Sequence, residues 1–96
     1  MGFDDAVAVL RSWLGSAVVV VLEPEGTIMR GALSEIDADP GSAMFTVDGE
    51  QLTGVAIALF RDGLTEAALH DDELVVRQGR MTVRVTTCGG RRSARD

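Results

Sequence analysis

Residues 25–37, EGTIMRGALSEID, set Gly26 after an acidic turn, Gly31 five positions on, Leu33 two further and Asp37 four beyond that. Within the run, Ile28, Arg30, Ala32, Ser34 and Ile36 alternate with Thr27, Met29, Gly31, Leu33 and Glu35. Such alternation is the period of an extended strand. Neither set is purely apolar, so the strand is predicted to change surroundings partway. A glycine inside a strand weakens it unless the chain must bend or another backbone must come close. Gly31 is therefore read as the bend of a long strand shared by two halves of a small closed sheet.

The segments around this strand extend the same reading. Upstream, Phe3, Val7, Leu10 and Leu14 recur at spacings of four, three and four, with Ala6 and Trp13 beside them. This is the stripe of one amphipathic helix, with Asp4 and Asp5 at its positive end and Gly15 as its exit. AVVVVL at 17–22 is β-branched and reads as a strand buried on both faces, one of them under the helix. Pro24 and Gly26 then favour a hairpin. Downstream, DADPGS at 37–42 is a turn that begins at Asp37, AMFTV at 43–47 and VAIALF at 55–60 are strands, and RDG at 61–63 turns again. LTEAALHDD at 64–72 permits either one or two helical turns or a loop. ELVVRQGRMTVRVTT reads as a hairpin about Gln78 and Gly79, with Met81, Val83 and Val85 inward. GGRRSARD at 89–96 reads as a flexible tail, leaving residues 1–88 as one domain.

Composition narrows the function. A 96-residue chain with 46% apolar and 25% charged residues has the balance of one globular domain with a modest core, at whose expense an active site would have to be built. All nine basic residues are Arg, and the first 88 residues hold six of them against fourteen acids, a net −8. Such a body repels phosphate, which disfavours broad nucleic-acid binding. Cys88 is the only cysteine, so no internal disulfide and no cysteine-based metal site is expected. The start, MGFDDAVAVL, lacks the basic segment of a secretory signal, and AVVVVL is too short to span a bilayer. A cytoplasmic location is expected.

The stretch LGSAVVVVLEPEGTIMRGALSEID resembles the first Sm motif of Sm-like proteins, through Gly15, Val18, Val20, Leu22, Gly26, Gly31, Leu33 and Asp37. The resemblance covers roughly the first 47 residues. It implies a mainly β, SH3-like small barrel of five or six antiparallel strands behind an N-terminal helix. RNA-binding members carry a Met-Asn or similar pair after the Asp, where this chain has Ala38, Asp39 and Pro40. The second Sm motif is only echoed, by FRDG at 60–63 or VVRQG at 75–79, each with one residue too many between Arg and Gly.

Few residues invite chemistry. His70 with Asp71 and Asp72 is a combination that binds metals or moves protons elsewhere, yet adjacent acids in a loop are ordinarily just solvated. Asp37 and Asp39 beside Pro40 are explained by turn formation, and Cys88 beside Arg91 and Arg92 lacks a base or a resolving thiol. Arg77, Arg80 and Arg84, with Arg91, Arg92 and Arg95, form the one basic region and a candidate interaction patch. The four aromatics, Phe3, Trp13, Phe45 and Phe60, all stand in apolar patterns, which leaves none for base stacking. The sequence thus points to a self-associating, non-catalytic binding or assembly module without a cofactor. An RNA-binding Sm-like protein and a small-ligand or enzymatic barrel using the His70 loop are the alternatives.

Overall fold

The apolar stripe at the start folds as helix α1, Phe3–Ser12, whose Phe3, Ala6, Val7 and Leu10 are buried. The structure is a computed structural model that describes residues 1–49 and 54–88. The tail at 89–96 lies outside the described residues, as does much of the loop before Val55. The Asp5 carboxylate accepts the Gly2 N–H at 3.1 Å, satisfying a donor at the helix start. The helix stops two residues short of the predicted stripe. Trp13 is its half-buried cap, and Leu14, expected inside, is 45% exposed because the chain has already turned toward Gly15 at φ +87°.

Seven strands follow among the described residues, where five or six were expected. They are β1 Ala17–Glu23, β2 Thr27–Ala38, β3 Ser42–Asp48, β4 Val55–Phe60, β5 Leu64–His70, β6 Glu73–Gln78 and β7 Met81–Thr87. The added strand is β5, the segment read as helix or loop. Its Leu, Glu and Ala residues favour a helix in isolation. Here six of its residues pair with β6, from Leu64 opposite Gln78 to His70 opposite Glu73. Sheet pairing with the β-branched Val75 and Val76 overrides local preference. The acidic pair Asp71–Asp72 is the two-residue connection of that hairpin, Asp71 taking φ +56°.

All strands join one antiparallel sheet in the order β4-β3-β2-β1-β7-β6-β5. Laid flat, its two edges would stand roughly 29 Å apart, at about 4.8 Å per strand. Yet only Arg61–Gly63 connect the end of β4 to the start of β5, a reach of at most about 14 Å. The sheet must therefore curl until its edges approach at that end. Inside the curl lie Val18, Val20, Leu33, Phe45, Val47, Leu59, Leu74, Val76, Val83 and Val85, all buried, and α1 packs over β2, β5 and β6. β1 is buried on one face only: Val18 and Val20 point in, while Val19 and Val21 are half-buried on a face that the helix leaves uncovered.

β2 performs the change of surroundings that its alternation predicts. Thr27–Ala32 pair with β1, Ala32–Ala38 pair with β3, and the register slips between Leu33 and Glu35. Gly31 stands at the exchange. A Cβ there would fall on the Asp48 carbonyl oxygen, well inside contact distance, and 3.0 Å from the Gly49 nitrogen. The approach is mutual, since a Cβ at Gly49 would lie 2.5 Å from the Arg30 carbonyl oxygen. Gly26, by contrast, serves its turn through φ, at +80°, and donates its N–H to Leu22 O at 2.7 Å.

Gly31→Ala should therefore destabilise the fold by about 2 kcal/mol or more, since the obstacle is backbone and cannot swing aside. A thermal melt should show a midpoint lowered by roughly 10 °C. Gly41→Ala is the control, because a Cβ there meets nothing nearer than Asp39 Oδ1 at 3.9 Å. Equal midpoints for the two variants would show that the close approach does not constrain the strand.

Candidate functional site

The curled sheet leaves one seam, between β4 and the β5–β6 hairpin, and Gln78 spans it. Leu74, Val76 and Gln78 are the inward residues of β6, so the Gln78 amide is carried into the core, where it is 6% exposed. Its Oε1 accepts the Phe60 N–H at 2.9 Å and its Nε2 donates to Ala58 O at 2.8 Å. One side-chain amide thus stands in for a peptide group of a missing neighbour strand. The sequence places Gln78 in a hairpin turn. A polar residue on the inward parity of an apolar strand was the signal of its role, because a buried amide must find partners.

Arg61 holds the outside of the same seam. Its N–H donates to Gly41 O at 3.0 Å and its Nε to Pro40 O at 2.5 Å. Its Nη2 lies 2.7 Å from Asp4 Oδ1, and its guanidinium carbon sits 4.6 Å from the centre of the Phe3 ring. The Asp4 hydrogen bond raises its pKa further, so this Arg stays charged. One side chain ties the β4–β5 turn to the start of α1 and to the turn after β2. Read from sequence as a turn residue and as part of the FRDG echo of the second Sm motif, Arg61 gave no signal of this.

The two edges differ chemically. β5 presents Glu66 and His70, and the amino terminus donates to Ala67 O at 3.2 Å. β4, VAIALF, has no charge. Beside it Met44 is 48% exposed, and Phe60, expected in an apolar setting, is 51% exposed because β4 has no further strand to cover its outer face.

The predicted Arg patch comes together on the β6–β7 hairpin but is largely neutralised. Arg84, half-buried, has Nε 3.0 Å from Glu23 Oε1 and Nη1 3.8 Å from Glu73 Oε1. The Glu23 hydrogen bond, then its charge, raises the Arg84 pKa. Arg77 Nη1 lies 3.8 Å from Glu66 Oε1, while Arg80 is exposed in the Gly79–Arg80 turn. Arg91, Arg92 and Arg95 lie outside the described residues.

The remaining candidates have structural positions. His70 and Asp71 are exposed at the end of β5, and the backbone carbonyl of Asp72 accepts the Thr87 N–H at 2.9 Å. Asp37 is exposed on β2, four places from β5 in the sheet order. Asp39 Oδ1 accepts the N–H groups of Gly41 and Ser42, each at 2.9 Å, which lowers its pKa and closes the turn. Cys88 is exposed, its N–H donating to Ala17 O at 2.9 Å. Among the described residues no three of His, Cys, Asp and Glu gather as metal ligands, and no helix is long and apolar enough to cross a membrane. Comparison with known proteins finds no matching family model, no matching curated protein and no matching solved structure.

Gln78→Leu keeps the bulk but leaves the Phe60 N–H and the Ala58 C=O without their partner, a loss of about 2 kcal/mol. Hydrogen exchange should show the Phe60 amide losing protection while amides within the β1–β2 ladder keep theirs. An unchanged Phe60 rate together with an unchanged melt would show that Gln78 does not hold the seam.

Proposed function

We propose that this chain is a non-catalytic binding or assembly module, an SH3-like and Sm-like small barrel that associates with copies of itself. The observation that carries the reading is the uncharged, half-exposed edge at β4 in a protein that otherwise surrounds itself with charge. Exposed strand edges are templates for pairing, and chains that stay apart protect them with charge or cover. The long second strand that changes partners at Gly31, the turn at Gly26 and the preceding helix support the barrel reading. An enzymatic reading built on the His70 loop has less support, since Asp71 and Asp72 serve a tight hairpin turn and His70 is exposed.

RNA binding has less support as well. Arg77 and Arg84 already face carboxylates, and Ala38, Asp39 and Pro40 replace the base-holding pair, with Asp39 engaged in its own turn. Phosphates approaching the body would meet its net −8, which the exposed Arg11, Arg30 and Arg80 and the three Arg of the tail oppose only in part.

Light scattering at micromolar concentration should give a mass above the 10.2 kDa of one chain, and a monomer would overturn the reading. Fluorescence anisotropy with labelled uridine-rich or adenine-rich strands should show no submicromolar binding at physiological salt. Tight binding that survives removal of residues 89–96 would put RNA recognition first instead.

A further inference from the structure

Two stretches of the outer surface expose large apolar side chains, and they carry opposite charge. At the start of β2, Ile28 is 55% exposed and stands opposite Val21, while Arg30 stands opposite Val19. Directly paired residues share a face of the sheet, so these four side chains form one patch. Arg77 and Arg84, the other Arg residues of the strands, have carboxylate partners, and Arg30 has none among the described residues. Glu23, the one acid of β1, is held by Arg84. The patch is therefore apolar and positive.

Beyond the exchange at Gly31 the second patch is apolar and negative. Asp37, Met44 and Ala58 form one row across β2, β3 and β4, and Glu35, Thr46 and Ala56 form the next. Phe60 follows Ala58 on the same face, and both it and Met44 are about half exposed. Neither Glu35 nor Asp37 has a cation within ion-pair distance among the described residues, and Arg61, beside Phe60, is taken by Asp4.

Resting on the self-association reading above, we infer that the Ile28–Arg30 patch of one copy seats on the Met44–Phe60 patch of the next. One chain cannot join its own two patches, because they stand toward opposite ends of β2. The spacing fits. Ile28 and Arg30 lie about 7 Å apart along their strand. Met44 and Phe60 are diagonal neighbours, with Asp37 about 5 Å beyond Met44. Ile28 set between Met44 and Phe60 therefore leaves Arg30 over Asp37 and Glu35. The chain itself carries the complement of each patch, apolar to apolar and unpaired cation to unpaired carboxylate, and this selects a second copy as the occupant. The tail at 89–96 brings three Arg but only Ala94 as an apolar side chain, so it matches the charge without covering Met44 and Phe60. Unlike surfaces meet, so the contact is heterologous.

Ile28→Asp and Phe60→Asp each disable one patch, the first by setting an acid against Asp37 and the second by removing the apolar seat. Each variant, folded by circular dichroism, is expected at 10.2 kDa by light scattering at a concentration where wild type stands at twice that mass or above. An equimolar mixture of the two should recover a pair, because the first variant keeps the Met44–Phe60 patch and the second keeps the Ile28–Arg30 patch. A contact between like patches would recover nothing. Arg30→Asp and Asp37→Arg should each weaken association about tenfold, and both changes in one chain should restore it. Arg30 and Asp37 are exposed, so this exchange decides the matter if the apolar variants fail to fold. A wild-type oligomer unmoved by these changes would leave self-association standing and overturn the pairing of patches. One that is lost on removal of residues 89–96, and unmoved by Ile28→Asp, would assign the contact to the tail instead. A wild-type monomer would overturn both readings.

Discussion

Where β2 leaves β1 for β3, two stretches of backbone come together without side chains between them. Gly31 lies against the Asp48 carbonyl, and Gly49 lies against the Arg30 carbonyl. This mutual approach sets where one strand can serve two neighbours, and the exchange of partners is what brings β3 and β4 round toward the far edge of the sheet. A side chain at either position would force the strands apart at the turning point. The core depends on the same point, because Leu33 follows the exchange and is fully buried against residues from both halves.

Curling nearly removes the edges of the sheet, and the chain finishes them by three unlike means. Gln78 replaces a strand with one amide, Arg61 binds the turn from outside, and the amino terminus reaches Ala67. Charged residues guard β5 directly. The part of β4 before Ala58 receives none of these. In a small domain every strand removed from water enlarges a limited core. An edge left apolar is a burden for a lone chain and a contact for a pair of chains.

The sequence was legible where local chemistry and global fold agree. α1 announced itself by spacing, and β2 by its broken alternation and its glycine. β1 and β4 followed from their apolar runs, β7 from alternation, and β3 and β6 from the turn residues beside them, within a residue or two at their ends. β5 was hidden because Leu64, Glu66, Ala67 and Ala68 prefer a helix, and only the partner strand β6 makes them extended. Leu14, read as part of the helix stripe, and Phe60, read in an apolar run, are both about half exposed. Arg77, Arg80 and Arg84 stand on the β6–β7 hairpin, but the carboxylates of Glu23, Glu66 and Glu73 that answer Arg77 and Arg84 come from strands whose order could not be read. Seam contacts are the least legible of all, since Gln78 to Ala58 and Arg61 to Asp4 join residues distant in sequence.

The two seam contacts differ in kind. The Arg61–Asp4 pair is exposed at both ends, so solvent and salt screen it. Its further bonds to Pro40 O and its place over Phe3 make Arg61 a positioning side chain more than a source of stability. Gln78 is buried and uncharged, and its hydrogen bonds do not weaken with ionic strength. The contact between β4 and β6 is therefore indifferent to salt, while the ion pair outside it is screened. Salt acts instead on how readily two acidic bodies of net −6 approach each other.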